Sequence, residues 1–275
     1  MPELPEVETI VKGLEEVLKG KIINSLECYY PGTVIFDANI KAKPFPAKVL
    51  ELSRRGKYII ITLKRENTII IHLRMTGKLV FDTLPSEPLK YERARIIMQN
   101  GKVLHFIDMR TFGKIIICKQ QNLENYLPHM GIEPFSKDFN AIHLKAKLKG
   151  KKAAIKTVLL NQSIIAGLGN IYTCEILYRA GLNPLIPAGK LSHKEIVEII
   201  QQTKAVLSEA ISLGGTSISD YRNIDDKIGS YQNFLKVYQK QFCPIGHQVN
   251  RIKQAGRSTF FCPICQKKIK VDQLR

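Results

Sequence analysis

The 275-residue sequence predicts a multidomain α+β chain: a helix-led β-rich N-terminal half, a helical middle and a short cysteine-bearing finger. Three observations carry that reading. Residues 21–118 hold short runs of Ile, Val and Tyr broken by turn pairs. Residues 138–213 hold helical patterning, and three of the six cysteines cluster at 243–265.

The first element is a helix. Val7, Ile10, Val11, Leu14, Val17 and Leu18 fall on one helical face, and Gly20 ends it. Pro5, Glu6 and Glu8 suit its first turn by fixed φ and by the macrodipole. Ahead of it stand Met1, Pro2 and Glu3. Initiator methionine is normally removed before a small residue, so the mature chain is expected to begin at Pro2, with a free secondary amine beside the Glu3 carboxylate. Such an amine attacks a carbonyl carbon, and from proline the product is a charged iminium, a strong electron sink. Glu3 is placed to move protons at that centre. The plainer role of Pro2 and Pro5 is to stiffen the chain start.

Strands are expected at Val49–Leu52, Tyr58–Leu63, Thr68–His72, Lys78–Phe81, Ala94–Met98, Val103–Ile107 and Lys114–Cys118, with turn pairs such as Asn100-Gly101 between them. The short spacing predicts a sandwich or barrel, mostly antiparallel. Lys57 follows Arg54-Arg55-Gly56 at a strand start, where a lysine commonly guards a sheet edge. Two loops carry unusual residues: Met75 in 72–77, and Arg110 with Phe112 in 108–113. Loop Met and Phe either tuck into the core or, on a basic protein, act as wedges that unstack a base step, with the arginine filling the gap.

Pro128, Gly131 and Pro134 mark a boundary. Helices are expected at Asp138–Lys149 and Ala153–Leu160, in a stretch crowded by Lys145, Lys147, Lys149, Lys151, Lys152 and Lys156. Gly167-Leu168-Gly169-Asn170 then turns into a helix over 171–177, with Asn170 near its N-cap. Backbone N–H groups there, with the Asn amide, suit an anion. Ser192 and Glu195 form a capping box for a helix reaching about Leu213, which Gly214-Gly215 stops. Thr216 to Ser230 is polar and aperiodic, a long loop of the kind that carries function.

In the finger, Cys243 and His247 are three residues apart, Cys262 and Cys265 two. Two knuckles of this spacing satisfy one tetrahedral Zn2+, and the closed set makes it structural; the alternative is that His247 is a bystander. Arg251, Lys253 and Arg257 make the segment between the knuckles basic.

The balance of 42 basic against 24 acidic residues, +18 net, attracts a polyanion, most simply nucleic acid, with salt-sensitive binding. No apolar run approaches a bilayer's thickness, and the acidic start has no apolar signal region. The scattered cysteines fit a cytosolic chain with one metal site rather than a disulfide framework.

From Pro2 to Cys265 the chain resembles the bacterial formamidopyrimidine-DNA glycosylases. The Pro-Glu-Leu-Pro-Glu-Val-Glu-Thr start, Arg-Gly-Lys-Tyr around Lys57, Gly-Leu-Gly-Asn-Ile-Tyr at 167–172 and the finger occur in the family's order. The resemblance implies an N-terminal β-sandwich domain flanked by helices (1–130), a helix–two-turn–helix domain with a lesion-capping loop (131–230) and a β-hairpin zinc finger (231–275). It implies that Pro2 attacks the sugar C1′, Glu3 assists ring opening, Lys57 acts in β-elimination, and Arg257 grips phosphate and assists δ-elimination. Met75, Arg110 and Phe112 would fill the gap left by an extruded base. His72, Tyr91, Lys151, Lys156 and Asn170 would join them on the DNA, with Glu6, Glu175, Thr216 and Tyr231 near the lesion.

The implied activity is removal of oxidised purines such as 8-oxoguanine from duplex DNA, followed by β,δ-elimination at the abasic site, by a cytoplasmic monomer. Two departures stand out: Gly246 occupies the place of a second thiolate, leaving His247 to replace it, and Tyr91 stands where the family often has histidine. A relative resembling endonuclease VIII, acting on oxidised pyrimidines, and a non-catalytic zinc-finger binder of damaged DNA are the competing expectations.

Overall fold

The computed structural model describes residues 1–40, 44–83, 85, 87–217, 221–225 and 227–266. The chain forms two compact units, Met1–Pro128 with Ile211–Gln232, and His129–Ala210 with Asn233–Arg275.

The first unit opens with α1 (Leu4–Leu18), which buries Val7, Ile10, Val11, Leu14 and Leu18 as its periodicity requires. Nine strands follow: β1 (Ile22–Cys28), β2 (Val34–Phe36), β3 (Ala47–Arg55), β4 (Tyr58–Leu63), β5 (Asn67–His72), β6 (Gly77–Thr83), β7 (Glu92–Met98), β8 (Lys102–Asp108) and β9 (Lys114–Lys119). A short helix, α2 (Leu123–Tyr126), succeeds them. Seven strands match those expected. β1 has a bulge between Ile23 and Ser25 that breaks its alternation, and three-residue β2 is too short to leave a pattern.

The strand order is β2-β9-β5-β4-β3-β1-β7-β8-β6. At the centre, β1 meets β3 through the pairs Ile22↔Lys48 and Ile23↔Ala47. The two halves bury one core, with Ile61, Ile69 and Ile115 from one and Ile96, Leu104 and Phe106 from the other. This is the sandwich expected from the short strands. Pairing is antiparallel except between β2 and β9.

Residues 211–232 pack with this unit. Tyr221 and Ile224 join its core, and the Phe81 N–H donates to Ile224 O at 3.1 Å. Of the long loop expected at 216–230, positions 218–220 and 226 lie outside the described residues.

The second unit holds α3 (Ala141–Leu148), α4 (Ile155–Leu159), α5 (Asn170–Arg179) and most of α6 (His193–Ser212). α3 begins later than expected because Asn140 caps it, accepting from the His143 N–H at 3.0 Å. The capping box holds: Glu195 Oε2 accepts from the Ser192 N–H at 2.7 Å, and Ser192 Oγ from the Glu195 N–H at 3.3 Å. The finger contributes the hairpin β10 (Asn250–Gln254) and β11 (Arg257–Phe261). Among the described residues no helix is long and apolar enough to cross a membrane.

Candidate functional site

The chain start is packed. Pro2 and Glu3 are buried, and Glu3 caps α1 while Glu6 Oε2 accepts from the Glu3 N–H at 2.7 Å. The other oxygen, Glu6 Oε1, accepts from the Thr216 N–H at 2.8 Å. One carboxylate therefore fixes both the N-terminal residues and the foot of the 216–231 segment. Gly215 is needed there: it has φ +81°, and a Cβ would sit 2.9 Å from Glu6 Oε1. Its carbonyl accepts from the N–H of fully buried Tyr231 at 3.1 Å.

Lys57 occupies the two-residue turn joining β3 to β4, with Arg55 paired to Tyr58. Gly56, at φ +56°, supplies the left-handed residue that tight hairpins favour. Lys57 is 6% exposed, so it is a buried cation rather than a solvated edge guard. Its charge acts on His72, 8% exposed. Burial first, then Arg74 and Lys57, push the His72 imidazole down to about 3. Its Nδ1 accepts from the Arg74 N–H at 3.1 Å, so the neutral ring carries its proton on Nε2. Tyr58 packs edge-on against that ring at 4.3 Å.

The two unusual loops meet. Arg110 Nη1 lies 3.2 Å from Met75 Sδ, and its guanidinium lies 5.1 Å from the Phe112 ring centre. Met75 is 46% and Phe112 52% exposed, so neither tucks into the core. Buried Asp108 knits the loops together. Its Oδ1 accepts from the Thr76 hydroxyl and the Arg110 N–H, and its Oδ2 from the Gly113 N–H at 2.7 Å. Asp108 went unnoticed in the sequence, although its place at the head of 108–113 is the signal. Tyr91 is exposed beside this region, and its carbonyl accepts from the Asp108 N–H at 3.0 Å.

In the second unit, Lys156 is fully buried, which its place in a lysine-rich run conceals. Its ammonium donates to Asn170 Oδ1 at 2.6 Å, Thr259 Oγ1 at 2.7 Å and Ser258 O at 3.3 Å. Asn170 Nδ2 also donates to Ser258 O, at 2.9 Å. These two residues, expected on phosphate, thus anchor the hairpin beside Arg257. Arg257 itself is exposed at the start of β11, straight after the Ala255-Gly256 turn. Lys151 is exposed after α3. Glu175 is buried in α5 and accepts from the N–H groups of Lys236, Val237 and Tyr238 at 2.7, 3.0 and 2.8 Å. Burial pushes its carboxyl above the ordinary range, against the pull of those donors.

Cys243, His247, Cys262 and Cys265 bring one ligand atom each within 4.8 Å of all the others, a set able to hold a metal ion. Cys243 and Cys265 sulfurs are 3.9 Å apart, and His247 Nδ1 is 3.3 Å from Cys265 Sγ. Gly246, at φ +86°, turns the first knuckle so that His247 rather than residue 246 faces the cluster.

Two family profiles match this chain: the formamidopyrimidine-DNA glycosylase N-terminal domain over residues 1–115 and the H2TH domain of the same enzymes over 130–222. The chain belongs to the formamidopyrimidine-DNA glycosylase family. The family member of Carboxydothermus hydrogenoformans is 41% identical over 276 residues, covering 97% of this chain and 100% of the relative. That of Novosphingobium aromaticivorans is 39% identical over 280 residues, with the same coverage.

Among solved structures of the family, a Lactococcus lactis mutant in complex with Fapy-dG-containing DNA matches with a TM-score of 0.90 and 35% identity, covering 97% of this chain and all of that one. The wild-type L. lactis protein bound to N7-benzyl-Fapy-dG DNA gives 0.89 at 35% identity, with the same coverage. Another L. lactis mutant, in complex with THF-containing DNA, replaces a cysteine by Gly-His, the dipeptide found here at 246–247.

The first unit carries Pro2, Glu3, Glu6, Lys57 and His72 with the Met75, Arg110 and Phe112 trio, and the second carries Lys151, Lys156, Asn170, Arg257 and the Cys243, His247, Cys262 and Cys265 cluster. A residue the sequence reading missed is Arg54, 8% exposed on its side chain, which lies within the Arg-Arg-Gly-Lys run itself.

Proposed function

We propose that this protein is a base-excision DNA glycosylase with abasic-site lyase activity, acting on oxidised purines in duplex DNA. The observation that carries the reading is the packed Pro2-Glu3 start, held by Glu6 and α1 in the same unit as buried Lys57. Removal of Met1 frees the Pro2 nitrogen as a secondary amine, because an acylated proline nitrogen has no lone pair to offer.

Duplex DNA is held by lysine and arginine contacts to phosphate, with Lys151 and Arg257 exposed for that role. Phe112, Met75 and Arg110 enter the space of the extruded nucleotide, offsetting the few kcal/mol that unstacking costs. The Pro2 nitrogen then bonds to C1′ as the C1′–N bond to the damaged base breaks and the base leaves with a proton. Glu3 protonates O4′ as the sugar ring opens, giving the iminium. A proton leaves C2′, helped by Lys57, and the C3′–O bond breaks in β-elimination. A second proton loss breaks the C5′–O bond, with Arg257 bearing on the departing phosphate, and water releases Pro2. The protein acts as a monomer, since each step needs one chain.

The Cys3His set fits one structural zinc. Zn–S bonds of about 2.3 Å in a tetrahedron put sulfurs roughly 3.8 Å apart, close to the 3.9 Å between Cys243 and Cys265. The ion would supply a clamp on the finger and no chemistry. All four positions are filled by protein, so no water or substrate site remains on it.

Borohydride reduction in the presence of an abasic duplex tests the reading: a covalent adduct through Pro2 is expected, and its absence ends the proposal. The purine preference is favoured over the pyrimidine alternative by the profiles matched and by Fapy-dG in the DNA of the similar structures. Parallel cleavage of 8-oxoguanine and thymine-glycol duplexes decides between them.

A further inference from the structure

We infer that Arg93 is the positioning residue that sets loop 108–113, on which Arg110 and Phe112 stand; the inference rests on the wedge role proposed for that pair. The backbone is built to aim this side chain. β7 and β8 pair Glu92 with Ile107 and Ala94 with Phe106, which leaves Arg93 as the extra residue of a bulge. Bulges re-aim a side chain at the expense of ladder pairing, and they gather beside functional sites. Two residues earlier Tyr91 takes φ +63°, in the left-handed region that a bulky aromatic residue seldom enters. Local strain of this kind persists only where surrounding contacts hold it. Here one such contact is the Asp108 N–H, which donates to Tyr91 O at 3.0 Å.

The re-aimed guanidinium reaches the root of the loop. Arg93 Nε donates to Asp108 O at 2.7 Å and Nη2 to Met109 O at 3.4 Å. It lies 5.0 Å from the Tyr30 ring centre and 5.8 Å from that of Tyr91, so its plane is set by two aromatic faces. Its own carbonyl accepts from the Tyr29 and Tyr30 N–H groups at 2.8 and 3.2 Å. The fork thus fixes two successive carbonyls just ahead of Arg110, while the Asp108 carboxylate grips the N–H groups of Arg110 and Gly113. Held from both ends of the peptide dipole, the loop presents Arg110 and Phe112 without having to be ordered by DNA. Lysine has no planar fork to stack and bridge in this way.

Arg93→Met and Arg93→Lys, each checked for an unchanged melting temperature, separate positioning from general structure. Arg93→Met should slow cleavage of a lesion duplex about tenfold, the effect of losing one charge-assisted hydrogen bond. It should also weaken the fluorescence rise of 2-aminopurine placed beside the lesion. Borohydride trapping on a single-stranded abasic oligonucleotide, which needs no wedge, should stay at the parent rate, and Arg93→Lys should recover only part of the duplex loss. An unchanged duplex rate overturns the inference, and so does an equal loss on both substrates. Should the parent protein trap no adduct at all, the amine mechanism fails instead. The 2-aminopurine signal still decides for Arg93, and equal signals in parent and variant overturn it.

Discussion

Glu8 and Arg54, 46 residues apart in sequence, form an ion pair in which Arg54 Nε donates to Glu8 Oε2 at 2.8 Å. The same guanidinium donates from Nη1 to Gly56 O at 3.0 Å. Arg54 therefore links the helix behind Pro2 and Glu3 to the turn bearing Lys57. The pair is shielded, with side chains 8% and 26% exposed, so it outweighs an open surface bridge. Arg54→Met should cost about 1–3 kcal/mol of stability and slow adduct formation on an abasic duplex more than it weakens DNA binding. Parallel melting, binding and trapping measurements check this, and a loss confined to binding would contradict it.

Glu6→Gln should loosen the segment that follows α6. A glutamine offers one acceptor where Glu6 uses both oxygens, for the Glu3 and Thr216 N–H groups. The unmatched N–H should cost about 1–3 kcal/mol. Faster hydrogen exchange at Thr216 and its neighbours, with the rest of the first unit unchanged, is the expected readout.

His72 makes stability depend on pH in a defined direction. Its folded value of about 3 lies below the ordinary 6.5, so the ring is neutral in the fold. As pH falls below about 6.5 the unfolded chain takes up a proton that the folded chain refuses, and stability drops by up to roughly 1.4 kcal/mol per pH unit from this group. The drop ends once the folded ring protonates near 3. Denaturant unfolding between those limits should show a shallower slope in His72→Gln, and an identical slope would refute the assignment.

Lys156→Met should unmoor the finger hairpin. The substitution keeps the apolar stem but leaves the acceptors on Asn170 and Thr259 without their buried donor. A loss of about 1–3 kcal/mol is expected for stranding buried acceptors that the ammonium satisfied. Weaker DNA binding should accompany it, because Ser258 and hence Arg257 lose an anchor. A variant that binds less well yet melts like the parent would instead point to direct phosphate contact by Lys156.

Metal analysis should return one zinc per chain, and His247→Ala should raise its loss to a chromogenic chelator. A strong chelator should lower the melting temperature of the second unit's finger while leaving the first unit folded. Wild-type protein that carries no metal after zinc loading would dismiss the site.

Much of this architecture was legible in the sequence because it rests on local pattern. The α1 stripe, the Ser192–Glu195 box and the cysteine spacing each follow from neighbours a few residues apart. What escaped notice depends on distance along the chain. Lys156 in a lysine run reads as solvated until Asn170, Ser258 and Thr259 are folded against it. β2 is a strand only because β9 supplies its partner, and 211–232 pack with the sandwich through Glu6 and the core near Ile224. The Arg93 bulge likewise exists only in the register of β7 against β8.

The finger's tip has a consequence for how such genes diverge. Gln254 faces Arg257 across Ala255 and Gly256, both at positive φ. Side chains alternate faces along a strand, so a single codon inserted between Gln254 and Arg257 can turn the arginine to the opposite side of the ribbon. The two-residue length of the tip, more than the identity of its neighbours, thus sets which face of the ribbon carries Arg257.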